Sequence, residues 1–380
     1  MSTRYATLCA CASLLVFAMS MTVLGPAVDT IAATYATQPG HLGMLVTALS
    51  LGFIAAVSLA GIFMDRLPLK PVFLAGQIVT AISLGGFASS ACISAGMAWL
   101  LILGLGGGLV QISANTLVAS VNPENRASSL TFLHLFYGTG ALAGPLLSGA
   151  LLSGGFAWPV IYLVLTALAA VVAAVIVPAR FPRQPRISGT SFIGLLGNGY
   201  VLLICLAAVL YVGIEMGITS WAVLYLERIL SMEKLAASSV LSYFWFFITF
   251  GRLICMRLAR HMRAGTLLTI LSAGAALAFA LFYATDDPIV AGVALSLVGL
   301  FFSGIFPILI SLGSDAFPER IGGVTGILLT SLGVGLMIFP WAAGEIGARW
   351  SMATGMLFIG GTHVALIVVS FALARRGRAL

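Results

Sequence analysis

Charged residues are scarce in this sequence of 380 residues: aspartate, glutamate, lysine and arginine make up only 8%, while 61% of the residues are hydrophobic. Soluble globular proteins carry about 25% charged residues, so this composition excludes that class. The apolar residues form long runs of helical length, and not segments of about ten residues with alternating polarity, which excludes a β-barrel. The sequence therefore predicts a helical protein that crosses a membrane several times.

Reactive groups are scarce as well. The five cysteines are scattered without paired or metal-like spacing, and most lie within apolar segments. The sequence has no Walker phosphate-binding loop, no metal-ligand cluster and no nucleophile–histidine–acid set at matching depth. The net charge of +7 comes from basic residues that flank the apolar segments instead of forming one patch. We therefore expect no enzyme activity, no cofactor, no metal site and no nucleic-acid partner.

Twelve apolar segments are each long enough to cross a bilayer. We predict these spans at about 6–34, 42–63, 70–91, 95–119, 129–153, 157–178, 199–226, 236–256, 265–284, 288–313, 322–344 and 351–374. A basic, proline-containing linker at 179–198 divides the chain into two six-helix bundles, 1–178 and 199–380. The first segment lacks a convincing cleavage site, so we expect a retained helix and not a signal peptide.

The basic residues predict the orientation of these spans. With the N-terminus inside, fourteen lysines and arginines lie on the cytoplasmic side, and only Arg228, Lys234 and Arg349 lie outside. This positive-inside bias predicts that both termini are cytoplasmic.

The two halves of the sequence repeat at an offset of 195 residues. The matching pairs are Pro123 with Pro318, Glu124 with Glu319, Gly138 with Gly333, Gly140 with Gly335, Pro145 with Pro340 and Gly149 with Gly344. A parallel six-plus-six repeat around a central linker resembles the plan of the major facilitator superfamily, over the whole length of the chain. The resemblance implies an all-α transporter that works by alternating access.

The loop from Gly61 to Lys70 resembles that superfamily's signature between helices two and three, which is a glycine, three residues, Asp-Arg and then a basic position. The resemblance implies a gating role for Asp65, Arg66 and Lys70, through contacts that break as the cytoplasmic side opens. The family usually has glycine at the position of Pro68. The alternative is a charged loop that only sets topology.

Glu215 is the most unusual charge in the sequence because it lies in the middle of an apolar helix. At about 1.5 Å per residue, it is roughly 18 to 22 Å from each end of its span. An ionised, unpaired carboxylate in hydrocarbon costs several kcal/mol, so Glu215 must face a watery cavity, find a cation or hold a proton. Tyr211 and Thr219 lie on the same helix face, and with Glu215 they are candidates for binding the solute in such a cavity. The flanking Gly213 and Gly217 would permit local unwinding.

Four other ionisable residues lie in or near the spans. Asp29 near the outer end of helix one could couple to a cation or sit at the wet interface. His134 in helix five could serve a proton relay or pack against its neighbours. Arg252, about a turn from the cytoplasmic end of helix eight, is a gate or substrate contact or an arginine that reaches the interface. His363 in helix twelve is assigned to packing and receives no role.

Two further groups of residues are candidates for binding a solute. Gln111 and Asn115 share a face of helix four with small residues, which suits a hydroxyl-rich ligand or, alternatively, close helix packing. Trp221, Trp245 and Phe302 offer aromatic surfaces that can stack on a sugar ring or fill ordinary helix interfaces.

Two blocks resemble the fucose permease-like branch of sugar symporters and its sodium-glucose relatives. They are Gly106–Asn115 with Arg126, Leu133–His134 and Phe136–Pro145, and Tyr211–Trp221 with Phe244–Trp245 and Gly251–Arg252. Members of that branch use acids in helices one and four for proton coupling. This sequence offers Asp29 in helix one but only Gln111 and Ser113 in helix four. The coupling ion is therefore a proton or, alternatively, sodium.

These observations predict a monomeric secondary transporter in the bacterial inner membrane, in contact with membrane lipid. We expect it to move a small polar organic solute, most plausibly a sugar, together with protons, and we assign coupling or solute binding to Glu215. The alternative is an exporter of drugs or other amphiphilic compounds, which the partial fifth-helix signature Gly140–Gly149 supports. A receptor or scaffold on this fold has little support.

Overall fold

A computed structural model describes residues 3–63, 68–121, 126–179, 181, 197–317 and 321–376. Within those residues the secondary structure is helical, without a β-strand. The helices of the first half are α1 (Thr3–Thr22), α2 (Leu24–Thr34), α3 (Gly43–Phe63), α4 (Leu69–Ala88), α5 (Ile93–Val121), α6 (Arg126–Ser153) and α7 (Trp158–Ile176). Those of the second half are α8 (Gly199–Ile229), α9 (Lys234–Leu258), α10 (Ala264–Ala284), α11 (Pro288–Phe302), α12 (Ile305–Ala316), α13 (Ile321–Arg349) and α14 (Met352–Arg376).

Over the described residues, twelve stretches have the length and apolar composition of membrane spans, as the sequence predicts. The chain divides into two compact units, Met1–Gly189 and Thr190–Leu380. The loop residues Asp65 and Arg66, the pairs Pro123–Pro318 and Glu124–Glu319, and most of the predicted linker lie outside the described residues.

Two of the predicted spans are interrupted. The first divides between α1 and α2 at Val23, and the tenth divides between α11 and α12 at Ser303 and Gly304. Proline has no N–H, so it leaves the carbonyl four residues earlier without its helical partner. For Pro26 that carbonyl belongs to the last residue of α1, and for Pro307 it belongs to Ser303. A proline therefore lies one turn after each interruption.

The sequence repeat reappears in the helix contacts inside each unit. In the first unit, a β-carbon built on Gly104 would overlap the backbone carbonyl of Leu49, and in the second unit Gly299 stands in the same relation to Phe244. Both members of the second pair lie 195 residues after those of the first. The first unit thus packs α3 against α5 as the second packs α9 against α11.

A second pair of contacts follows the same pattern. Gly140 lies against the backbone of Leu15, and Gly335 lies against the backbone of Val209. The first helix of each unit therefore approaches the proline-containing helix, α6 or α13, through glycine. Because lipid gives little hydrophobic force between helices, such close backbone approach is a main source of packing energy.

Candidate functional site

Glu215 lies near the middle of α8, sixteen residues after Gly199 and fourteen before Ile229. Its side chain is only 6% exposed. The helix continues through both flanking glycines instead of unwinding there. A β-carbon on Gly213 would overlap the ring of Phe339 in α13, and one on Gly217 would overlap Ile359 in α14. The glycines therefore serve close helix packing around the carboxyl group.

Two side chains on α8 bond to Glu215, but at different atoms. The Tyr211 hydroxyl donates to Glu215 Oε1 over 2.6 Å. The Thr219 hydroxyl donates to the backbone carbonyl of Glu215 over 2.8 Å, so it does not reach the carboxyl group. A hydrogen bond to a charged group contributes about 1.5–3 kcal/mol, which offsets part of the cost of burying an ionised carboxylate.

The phenol ring of Tyr211 rests on an aromatic wall. Phe302, fully buried at the end of α11, meets the Tyr211 ring edge-on, with centroids 5.4 Å apart and an interplanar angle of 70°. Phe302 also meets Phe244 of α9 edge-on at 6.4 Å. Such edge-to-face pairs favour one ring orientation. The wall therefore helps to keep the Tyr211 hydroxyl directed at Glu215.

His363, which the sequence analysis assigns to packing, joins this wall from α14. Its ring stacks on Phe302 at 5.8 Å and lies 4.8 Å from Phe279 of α10. The side chain is 1% exposed. Its Nδ1 is 3.1 Å from the carbonyl oxygen of Ile359 and must be the donor in that contact. Nε2 is buried and has no hydrogen-bond partner among the described residues.

Arg252 is a basic residue within α9, in the same unit as Glu215. The side chain is half-buried, and its Nε has no hydrogen-bond partner in the described part of the chain. A charge that is partly removed from water interacts more strongly with other charges than one at the surface. Arg252 is therefore a candidate for a gate or a solute contact.

The two predicted tryptophans are packed within the second unit. Trp221 is 1% exposed and donates its Nε1–H to the carbonyl oxygen of Pro340 in α13 over 2.8 Å. Trp245 is 2% exposed and meets the ring of Phe244 at 5.8 Å. In this conformation the Trp221 N–H is therefore occupied by a helix–helix hydrogen bond.

The polar candidates of helix four lie in the first unit, on α5. Gln111 and Asn115 are half-buried, and the Asn115 amide donates to the Gln111 backbone carbonyl over 2.9 Å. Gly108 and Gly104, one and two turns before Gln111, lie against Ala56 and Leu49 of α3. The two glycines of the predicted face therefore pack against α3. The amide residues Gln111 and Asn115 lie further along α5, toward its C-terminal end.

Three more candidates also belong to the first unit. Asp29 on α2 and His134 on α6 are half-buried, and the His134 ring lies 6.5 Å from that of Tyr137. Lys70, the second residue of α4, donates to the Val177 carbonyl over 2.7 Å. Val177 follows the last residue of α7, so this contact places a positive charge at a helix C-terminus, where it is stabilising.

Twelve apolar spans in two units, with a carboxyl group buried halfway along one span, define a polytopic membrane protein with the architecture of a secondary transporter. A family model described as Major Facilitator Superfamily matches residues 10–340. The chain belongs to this superfamily, whose members are transporters and not enzymes.

Similarity to individual proteins is more distant. The protein TsgA homolog of Yersinia pseudotuberculosis serotype O:1b is 23% identical over 361 residues, which cover 92% of this chain and 90% of that one. A D-xylose-proton symporter superimposes with a TM-score of 0.84 at 15% identity, over 97% of this chain and 98% of that one. A mutant of the nucleoside transporter NupG superimposes with a TM-score of 0.83 at 16% identity, over 97% of this chain and 99% of that one. These likenesses establish the fold.

Proposed function

We propose that this protein is a proton-coupled transporter of a small polar organic solute of the sugar class, in the bacterial inner membrane with both termini cytoplasmic. The observation that carries the proposal is the Glu215 carboxyl group, 6% exposed in the middle of α8 and hydrogen-bonded by the Tyr211 hydroxyl. An ionisable side chain at that depth in a membrane indicates function by default, because its burial has a cost that a structural role does not require.

The surroundings of Glu215 make both of its protonation states accessible. Burial in an apolar bundle disfavours the ionised form, while the hydrogen bond from the Tyr211 hydroxyl favours it. A coupling carboxyl group needs this balance, since it must bind a proton on one side of the membrane and release it on the other. We assign this role to Glu215, with Asp29 and His134 as further members of the proton path.

In a coupled transport cycle the protein binds the solute as well as the proton. We assign solute contacts to Gln111 and Asn115 in the first unit and to the aromatic residues Trp221, Trp245 and Phe302 in the second. Alternating access requires that the solute and the proton together bind more strongly in the state in which the site closes. We assign gating to Asp65 and Arg66 between α3 and α4, to Lys70 in the first turn of α4, and to Arg252.

The relatives support a polar solute. Two of the solved structures that share this fold are those of a D-xylose-proton symporter and a nucleoside transporter. Both of those proteins carry polar solutes with a ring. A sugar for this chain agrees with the aromatic residues around Tyr211, because sugar rings stack on such faces.

Uptake by purified protein in proteoliposomes tests the proposal, after a thermal-shift screen of sugars, organic acids and lipophilic cations has identified a solute that binds. With one proton per solute, a proton-motive force of 100 mV sustains about 40-fold accumulation, since 100 mV is about 2.3 kcal/mol per charge and 1.4 kcal/mol is tenfold. Glu215→Gln keeps the size of the side chain but cannot exchange a proton. We expect it to reduce accumulation to about one-fold while solute counterflow continues.

Glu227→Gln is the matched control, since Glu227 lies on the same helix, where it pairs with Lys234 near the end of the span. This variant should accumulate solute like the wild type. Full gradient-driven accumulation by Glu215→Gln would exclude Glu215 as the coupling residue. Selective binding of lipophilic cations, with gradient-driven efflux, would instead favour the exporter.

A further inference from the structure

A cavity of about 420 Å³ lies within the second unit, away from Glu215. It is formed by the first residues of α8 and α10 and by the last turns of α12 and α14, so it lies where four membrane spans end. The charge distribution predicts that this side is cytoplasmic. Its volume is within the range of small-molecule sites, about 300–1,000 Å³. Because membrane spans end here, we expect the cavity at the depth of the lipid headgroups.

One wall of the cavity offers hydrogen-bond donors. Arg263 precedes α10, and no side chain caps this end of the helix. The first backbone bond there runs from Leu267 N to the Arg263 carbonyl, so the preceding N–H groups have no helical partner. Thr266 and Tyr200 add two hydroxyl groups to the lining. Tyr200 is 8% exposed, and its hydroxyl makes no hydrogen bond to any described residue. Together these groups suit a phosphate.

The lining also carries a negative charge. Asp315 lies in the last turn of α12, where the helix dipole is also negative. Its Oδ2 accepts a hydrogen bond from Ser311 over 3.2 Å, and it forms no ion pair with any described residue. An acid in this position would repel a second phosphate group but would attract an ammonium group. Leu312 and Leu373 complete the lining with apolar surface.

From this arrangement we propose that the cavity binds the headgroup of a phospholipid that carries both a phosphate and a primary ammonium group, as phosphatidylethanolamine does. Arg263 and the start of α10 hold the phosphate, and Asp315 holds the ammonium group. The two leucines contact the glycerol and the first acyl carbons. A soluble phosphoethanolamine shares the headgroup chemistry but cannot use the apolar part of the site.

Native mass spectrometry of the purified full-length protein tests this site, because lipids that differ only in their headgroups can be added one at a time. We expect phosphatidylethanolamine to bind about tenfold more tightly than phosphatidylcholine with the same acyl chains, since a quaternary ammonium group cannot donate a hydrogen bond to Asp315. Phosphatidylglycerol and soluble phosphoethanolamine should also bind more weakly.

Single substitutions test the phosphate contact and the ammonium contact separately. Asp315→Asn should abolish the preference for phosphatidylethanolamine over phosphatidylcholine, whereas Arg263→Gln should weaken both lipids about tenfold. Tyr200→Phe removes one hydroxyl group with little change in packing and should weaken binding by a smaller factor. Arg260→Gln and Asp286→Asn, which change exposed residues that do not line the cavity, are the matched controls and should bind as the wild type does.

Three results would overturn the proposal. The first is equal binding of phosphatidylethanolamine and phosphatidylcholine by the wild type. The second is unchanged lipid binding by Arg263→Gln and Asp315→Asn when both variants elute and melt as folded proteins. The third is soluble phosphoethanolamine binding as tightly as the lipid. None of these measurements depends on transport, so failure here is distinguishable from failure of the proposed coupling by Glu215.

Discussion

The two units share a packing scheme but not a set of polar residues. At the offset of 195, the glycine contacts Gly104 with Leu49 and Gly140 with Leu15 reappear in the second unit, the latter shifted by one residue on its partner helix. Glu215, in contrast, corresponds to Ser20, whose hydroxyl bonds to the carbonyl of Phe17 in its own helix over 2.6 Å. The repeat therefore preserves the glycine contacts between helices. The buried carboxyl group of the first long helix is present in the second unit only.

The same contrast holds for the residues around Glu215. Tyr211 corresponds to Val16, and Phe302 corresponds to Gly107. In the first unit the ring of Phe17 occupies the space beside Gly107, where the second unit has the Phe302 side chain itself. Each unit thus fills the same region with an aromatic ring, but only the second directs a tyrosine hydroxyl at an acid. Substitutions of the shared glycines should therefore change stability, whereas substitutions around Glu215 should change transport.

The largest effects are expected from the shared glycines. Gly104→Ala and Gly299→Ala each place a β-carbon on a backbone carbonyl of the neighbouring helix, so we expect each to destabilise its unit by about 2 to 3 kcal/mol. Thermal unfolding in detergent measures the effect. Gly361→Ala is the control, because a β-carbon there meets no atom within 4 Å and alanine favours the helix by about 1 kcal/mol. Equal stability of all three variants would contradict the role of close packing.

A smaller effect is expected at the site. Tyr211→Phe removes the hydroxyl that donates to Glu215 Oε1 but keeps the ring against Phe302. Loss of one hydrogen bond to a charged group is worth about 1.5 kcal/mol, so proton-driven uptake should slow about tenfold, and the free energy of unfolding should fall by no more than about the same 1.5 kcal/mol. Thr219→Val is the matched control, since Thr219 bonds only to the backbone. If the two variants transport alike, the Tyr211 hydroxyl does not assist Glu215.

Composition and local spacing were sufficient for part of this picture. The twelve spans follow from the length of the apolar runs, and the superfamily was indicated by the resemblance of the internal repeat to its six-plus-six plan. The pairing of Tyr211 with Glu215 is also local, because residues four apart meet on a helix face. The interruptions of the first and tenth spans could have been predicted from Pro26 and Pro307, but Pro145 and Pro340 lie inside helices that continue, so proline alone does not decide.

Contacts between distant helices could not be predicted in this way. Phe302, His363 and Tyr211 come from three helices, and no spacing in the chain shows that their rings meet. The cavity at the ends of α8, α10, α12 and α14 is a further example, since α14 adds only apolar residues to its lining and each of the other three contributes one or two polar residues.

The smallest predicted effect concerns His363, which has Leu168 as its counterpart in the first unit. If its buried Nε2 has no function, exchanging the imidazole for an apolar ring of similar shape removes an unpartnered acceptor and is neutral or stabilises by up to about 1 kcal/mol. His363→Phe keeps a ring between Phe279 and Phe302, and melting in detergent with uptake assays will measure both properties. Unchanged uptake with equal or greater stability would assign His363 to the scaffold. Greater stability with impaired uptake would show instead that Nε2 accepts a hydrogen bond during transport, and would extend the site of the second unit from α8 to α14.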